Sequence, residues 1–140
     1  MKRRDLIKLI GIGAISSFVF GVEKSGNKNR NHIAPVNPNK LTPFELKHTP
    51  QITLGTTDAK GYTQVNITVG SGGIIHPSVK NHWIDFITLY ADGKKVGHTE
   101  LEPVVSRGGG AFLVNLSNVK ALKCEAGCNL HGIYTATLKV

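Results

Sequence analysis

Two short segments far apart in the chain carry side chains that bind metals well, and the fold has to bring them together. His76 and His82 lie in HPSVKNH, Cys128 and His131 lie in CNLHG, and His48 stands upstream in ELKHTP. A thiolate and an imidazole three residues apart can close on one ion within a tight turn. Four imidazoles and one thiolate form a soft, nitrogen-rich set that suits a redox-active transition metal. The sequence therefore predicts a metal-binding protein.

Length and composition favour one mainly β domain. A chain of 140 residues holds a single domain of ordinary size with short appendages. Its 16 glycines and single methionine indicate turns and strands more than packed helices.

Residues 1–22 have the composition of an export signal. Arg3 and Arg4 lie in a basic start that runs into the apolar stretch Leu9–Val22, which is the layout of a signal peptide. The arginine pair ahead of apolar residues and a lysine resembles the bacterial twin-arginine signal. A general secretory signal or an uncleaved anchor is the alternative. We expect an exported, periplasmic protein, which is tethered to the membrane if the signal stays uncleaved.

Residues 23–40 are polar, contain prolines and lack periodicity, so they predict a flexible linker with a solvated His32. The folded domain is expected over residues 41–140. The chain has a formal net charge of +8 and stays basic without its signal. Because no basic run interleaved with aromatic residues follows residue 30, we expect no nucleic acid partner. A positive field speeds the arrival of a small anion.

The folded region alternates β-type segments with turn signals. Tyr62–Val69 places Val65, Ile67 and Val69 on one face, which is the pattern of a strand with one buried side. Asp-Gly between two such segments predicts a hairpin. The other predicted strands are Trp83–Ala91, Lys94–Leu101, Ala111–Leu116 and Gly132–Val140. At least five strands with this spacing indicate a small β-sandwich.

The glycine runs 70–73 and 108–110 are predicted to be loops with a structural role. They are not phosphate loops, because neither is followed by a Lys-Ser/Thr pair or the start of a helix.

Cys124 and Cys128 allow two interpretations. In an exported protein they can form a disulfide, which needs a turn between them. If residues 121–127 are extended, four residues span roughly 13 Å, well beyond the disulfide reach of about 7 Å. We therefore favour Cys128 as a metal ligand and Cys124 as a bystander. His98 has no partner in the sequence and is left out of the site.

At these residues the chain resembles the iron-binding domain of the superoxide reductases, the neelaredoxins and desulfoferrodoxins. The family pattern has a lysine-histidine pair, then HP with a second histidine six residues after the first, an I-x-x-I-x-L strand and a final C-N-x-H-G. Here these are Lys47-His48, His76-Pro77 through His82, Ile84–Leu89 and Cys128–Gly132. The resemblance covers residues 45–140.

The resemblance implies an immunoglobulin-like β-sandwich that holds mononuclear iron and reduces superoxide by one electron to hydrogen peroxide. It also implies an open coordination position, with an axial thiolate that pushes charge toward an oxygen ligand. The implied equatorial ligands are His48, His76, His82 and His131, and the implied axial ligand is Cys128.

Lys47 matches the family lysine that offsets negative charge as it develops on the substrate. The family often has a glutamate directly before this lysine, which closes the sixth iron position in the oxidised enzyme. Here that place holds Leu46, and Glu45 lies one residue earlier. Glu45 as a ligand then requires a rearranged loop.

Family members with a second, tetracysteine iron centre need four cysteines, whereas this chain has two. The resemblance is thus to the single-iron type. Electrons must come from an external donor, such as a rubredoxin-like or cytochrome-like protein, and the family resemblance leaves room for a homo-oligomer.

Two rival functions remain open from the sequence. A cupredoxin-like electron carrier is also a β-sandwich with a Cys-x-x-His pair, although its frequent axial methionine is missing here, since Met1 is the sole methionine. A non-catalytic binding module with structural zinc would use four ligands and leave one of the five unused.

Overall fold

The computed structural model describes residues 29–140. The predicted export signal at 1–22 and residues 23–28 of the predicted linker lie outside this range. Among the described residues, one short helix, α1 (Pro43–His48), precedes seven strands. These are β1 (Pro50–Thr57), β2 (Tyr62–Val69), β3 (Ile84–Ala91), β4 (Lys94–Glu100), β5 (Gly109–Asn115), β6 (Ala121–Cys128) and β7 (Gly132–Lys139).

The strands form two antiparallel sheets, one ordered β1-β2-β5 and the other β4-β3-β6-β7. The core between them is filled by inward-facing residues of both sheets, including Val65 and Ile67 from one, and Ile87, Leu89 and Leu122 from the other. Two sheets packed in this way make an immunoglobulin-like β-sandwich. The predicted all-β fold is confirmed. No helix within residues 29–140 combines the length and the apolar character that crossing a bilayer demands.

The β3–β4 hairpin turns at the predicted Asp-Gly pair. Asp92 and Gly93 have φ angles of 47° and 83°, as the two central residues of a type I′ turn require. Strand β2 spans the predicted Tyr62–Val69. The sequence prediction named no strand for β1 or β6, missed α1 and placed residues 109–110 in a loop.

Residues 109–110 are strand, contrary to that prediction. Gly109 and Gly110 pair with Thr68 and Ile67 as the first residues of β5. A Cβ on Gly109 would lie 3.0 Å from the carbonyl oxygen of Ile67, so glycine permits a close approach here and is not a sign of a loop. Gly70, in contrast, lies in a loop at φ 112°, and a Cβ on it would overlap the carbonyl of Ile74.

Residues 29–33, which we call the N-terminal strap, lie along β7. The backbone N–H of Ile33 donates to the carbonyl of Ile133, and the N–H of Ile133 donates to the carbonyl of Asn31. Arg30 forms an ion pair with Asp85 at 2.8 Å. This part of the predicted linker is therefore attached to the sandwich, because a backbone without periodicity in sequence can still hydrogen-bond to a strand edge. His32 is exposed, as expected.

Candidate metal centre

Helix α1, the β2–β3 loop and the β6–β7 hairpin bring the predicted ligands to one end of the sandwich. His48 is the last residue of α1, His76 and His82 lie in the β2–β3 loop, Cys128 ends β6, and His131 lies in the turn before β7. The β2–β3 loop is attached to α1 because Ser71 donates its backbone N–H to the carbonyl of Leu46. The helix and the loop thus hold their histidines against each other.

Helix α1 begins with a capping box. The hydroxyl of Thr42 accepts from the N–H of Glu45, and the Glu45 carboxylate accepts from the N–H of Thr42. Pro43 occupies the first turn, where its missing N–H costs nothing. Thr42, Pro43 and Glu45 therefore stabilise the helix that ends in the buried His48.

Four of the five predicted ligands lie close enough to share one ion. The donor atoms of His48, His82, Cys128 and His131 all lie within 4.8 Å of one another. Donors on opposite sides of one transition-metal ion are about 4.2–4.4 Å apart when metal–nitrogen and metal–sulfur bonds have their usual lengths. The cluster therefore has the size of a single-ion site.

His76, the fifth predicted ligand, borders this cluster. Its ring centroid lies 4.8 Å from that of His48 and 4.7 Å from that of His82. Within residues 29–140, Nε2 of His76 and Nε2 of His82 are the buried side-chain nitrogens without a hydrogen-bond partner. A buried polar atom without a partner is costly, and a metal ion would satisfy both. The residues fit a resident metal.

Backbone carbonyls orient two of the rings. Nδ1 of His48 lies 2.8 Å from the carbonyl oxygen of Phe44, and Nδ1 of His76 lies 2.8 Å from that of Pro77. Each Nδ1–H donates to its carbonyl, which leaves the lone pair on Nε2 for a metal. His131 instead presents Nδ1, which lies 3.2 Å from Nε2 of His48 and 3.5 Å from Sγ of Cys128.

The imidazoles of the cluster are held neutral. Burial lowers the pKa of His48 from 6.5 to about 4 and that of His76 to about 3. Burial also lowers the pKa of His82 and of His131. Neutral imidazole is the form that binds metals. At neutral pH the ligands therefore lose no protons from their rings when a metal binds.

Cys124 and Cys128 are free thiols on β6, both fully buried. Burial raises the pKa of Cys128, and the backbone N–H groups of Leu130 and His131 oppose this rise. Burial raises the pKa of Cys124, which packs in the hydrophobic core, to about 12. The two backbone donors at Cys128 favour its thiolate, which is the form that binds a metal.

Lys47 lies beside the cluster. Its ammonium is 5.7 Å from the centre of the Phe44 ring, and Phe44 in turn contacts the rings of His48 and His131. After burial, the charge of Lys47 is a further cause that lowers the pKa of His82 and His131. A cation therefore lies near the donor set.

The Glu45 carboxylate is engaged elsewhere. Oε1 accepts from the N–H of Thr42 at 2.9 Å, and Oε2 accepts from the N–H of Val36 at 3.1 Å. These backbone hydrogen bonds lower its pKa. In this structure Glu45 caps α1, and its predicted role at the sixth iron position stays a prediction.

Three supporting residues were not given roles from the sequence. Tyr134 stacks on His48 with ring centroids 4.8 Å apart, and Phe44 contacts the rings of His48 and His131. Asn129, quoted in C-N-L-H-G, is completely buried. Thr42-Pro43-x-Glu45 was a sequence signal for the helix that carries His48, whereas nothing local marks Tyr134 as its stacking partner.

The desulfoferrodoxin family model matches residues 40–137, a span that includes all five predicted ligands. The chain belongs to the desulfoferrodoxin family. A search of curated protein sequences gives no significant match.

Solved structures of desulfoferrodoxin-type proteins resemble the chain. The one-iron superoxide reductase from Giardia intestinalis is 26% identical with a TM-score of 0.58, over 67% of this chain and 98% of that protein. The neelaredoxin-type superoxide reductase from Ignicoccus hospitalis is 29% identical with a TM-score of 0.56, over 66% and 79%. The superoxide reductase from Nanoarchaeum equitans, 19% identical with a TM-score of 0.57 over 81% and 99%, supports the fold.

Desulfoferrodoxin-family superoxide reductases use mononuclear iron. The donor set in this chain, imidazole nitrogens with one thiolate, suits such an ion.

Proposed function

We propose that this desulfoferrodoxin-family protein is a superoxide reductase that converts superoxide to hydrogen peroxide at mononuclear iron. The observation that carries the proposal is the single-ion cluster of His48, His82, Cys128 and His131, with His76 beside it. Iron held there would supply one electron to superoxide. The relatives named as superoxide reductases support this activity.

The residues around the cluster have separable roles. The imidazoles are neutral when metal-free, so they bind a cation without first losing protons. Burial raises the pKa of the Cys128 thiol, so its proton leaves when a cation binds, and the thiolate then adds a negative charge that the cation compensates. Lys47 places a positive charge where an anionic substrate approaches, and it offsets the charge that develops as superoxide is reduced.

The experiment that tests the function is iron loading followed by anaerobic mixing with superoxide. The expected product is peroxide, with concomitant oxidation of the protein's iron. Metal analysis and the visible spectrum of the purified protein form the control, because a blue copper spectrum or stoichiometric zinc would reject the iron assignment.

We further propose that the protein is exported through a twin-arginine signal and receives electrons from an external redox protein. The adjacent Arg3 and Arg4 support the first part. The second rests on the two cysteines in the chain, too few for a tetracysteine iron centre. Cell fractionation of an Arg3→Lys/Arg4→Lys variant tests export: the variant should remain in the cytoplasm, and unchanged export would reject the twin-arginine route. A homo-oligomer stays a prediction, which light scattering checks.

A further inference from the structure

Asn129 connects the two segments that carry the ligands. Its side chain is fully buried. Oδ1 accepts from the backbone N–H of Trp83 at 2.9 Å, and Nδ2 donates to the carbonyl of Asn81 at 3.0 Å. The backbone N–H of Asn129 also donates to the carbonyl of Trp83 at 3.1 Å. Three hydrogen bonds thus join one residue to two others across the site.

The hydrogen-bond partners of Asn129 flank one predicted ligand, and Asn129 itself adjoins another. Asn81 and Trp83 lie on either side of His82, and Asn129 directly follows Cys128. The amide therefore holds the backbone on both sides of one ligand while it is covalently joined to another. These hydrogen bonds add to the β3–β6 ladder, in which Ile84 pairs with Cys128.

An amide suits this task better than its close relatives. The side chain must accept at one end and donate at the other, which asparagine does and aspartate does not. Burial strengthens each bond and makes any unpaired partner costly. The remaining backbone group is also engaged, because the carbonyl of Asn129 accepts from the N–H of Asn29 in the N-terminal strap at 2.9 Å.

We propose that Asn129 is a positioning residue that holds His82 and Cys128 at the spacing of one metal ion and so sets metal affinity and the thiolate–metal contact. This inference rests on the metal centre of the proposed function, but not on superoxide reduction. A defect in Asn129 should therefore be visible in metal binding alone.

The test is titration of the metal-free full chain with Co²⁺, followed through the thiolate-to-cobalt charge-transfer absorption. Asn129→Ala removes both ends of the amide. Asn129→Asp keeps the acceptor for Trp83 and the side-chain size, but loses the donor to Asn81. Residues that orient metal ligands typically change metal affinity about 10- to 100-fold when mutated. We expect both variants to bind Co²⁺ more weakly by this factor, with a displaced absorption band.

Two control variants separate positioning from general destabilisation. Leu122→Ala opens a cavity at a fully buried position nearer the start of β6, so it should lower the melting temperature and leave affinity and band unchanged. Asn66→Asp makes the same chemical change on β2, where Asn66 accepts from Gln64, and should also leave both unchanged.

The outcomes are distinct. If Asn129→Ala does not fold, the nearly isosteric Asn129→Asp decides. Wild-type affinity and band in Asn129→Asp, or a loss no larger than that of Leu122→Ala, would overturn the inference while leaving the metal centre intact. A wild-type chain that binds no Co²⁺ through its thiolate would overturn the metal centre as well.

Discussion

Nε2 of His48 lies 3.2 Å from Nδ1 of His131, although 83 positions separate the two residues in sequence. The contact joins the end of α1 to the turn between β6 and β7. The Nδ1–H of His48 donates to the carbonyl of Phe44, so Nε2 of His48 directs a lone pair toward His131. One cation can bind both facing nitrogens.

Replacing Lys47 by alanine should slow the reaction with superoxide about 10- to 100-fold. The loss of a fully enclosed electrostatic donor slows a reaction more than this, and the smaller effect is expected because Lys47 is partly exposed. Fold and iron content should not change. The measurement is the second-order rate at two ionic strengths, since a steering cation makes the rate fall as salt rises. Lys80→Ala, an exposed lysine on the loop of His76 and His82, is the matched control and should be nearly silent. Equal rates for Lys47→Ala and wild type would remove its assigned role.

Glu45→Ala should destabilise the protein by about 0.5–2 kcal/mol, since it removes the capping box of α1. The visible spectrum of the oxidised iron protein should be unchanged, because the carboxylate is bound to the N–H groups of Thr42 and Val36. Denaturant unfolding and the spectrum are recorded on the same sample. A displaced iron band in Glu45→Ala would instead show that the carboxylate reaches the metal.

The two cysteines should behave as opposites. Cys128→Ala should abolish the sulfur-to-iron charge-transfer band and reduce iron content, because it removes the thiolate of the cluster. Cys124→Ala should keep both and cost about 1–2 kcal/mol of stability through lost core packing. Both thiols are fully buried on the same strand, so each substitution serves as the control for the other. Loss of the band in Cys124→Ala alone would reverse the assignment.

The metal-free protein should become less stable as the pH falls below about 6.5. The folded-state pKa values of His48 and His76 are about 4 and about 3, against 6.5 in the unfolded chain. As the pH falls, the unfolded chain therefore takes up protons first, and the free energy of unfolding decreases until the folded pKa values are reached. Urea midpoints between pH 7 and pH 5 measure this, and His76→Asn should flatten the slope. A flat profile for wild type would show that the cluster is not buried and neutral.

Arg30→Ala should lower the free energy of unfolding by about 1–2 kcal/mol, between the values for exposed and buried ion pairs. Arg30 is half exposed, but its partner Asp85 is only 6% exposed. Lys123→Ala removes a longer pair, 3.8 Å from Glu125, and should cost less than about 0.5 kcal/mol. Equal small effects of both substitutions would show that the Arg30–Asp85 ion pair contributes little to stability.

The sequence predicted the strands whose side chains alternate, because one buried face imposes period two on β2. Strand β1 escaped notice since its outer residues are mostly exposed and its pattern is weak. Gly109 was misplaced because it packs closely against the carbonyl of Ile67, and Gly110 because it pairs with Ile67, and only the strand register reveals either relationship. The N-terminal strap was not predicted because its hydrogen bonds use backbone groups, which any residue offers.

The ligands themselves were predictable because their chemistry restricts the residue types and their spacing restricts the turns. The residues that position these ligands were harder to predict. The capping of α1 by Glu45 has a local signal in Thr42-Pro43-x-Glu45, whereas the bridge from Asn129 to Asn81 spans 48 positions and uses a backbone carbonyl. Contacts of that kind leave no pattern in a single sequence.

The central claim is tested most directly by anaerobic pulse radiolysis of the ferrous protein, with peroxide and oxygen both quantified. A superoxide reductase yields one peroxide for each superoxide consumed, oxidises one iron in step and releases no oxygen. Half that peroxide yield with release of oxygen would indicate dismutation, and no reaction would mean that the cluster of His48, His82, Cys128 and His131 serves another purpose; either result contradicts the account.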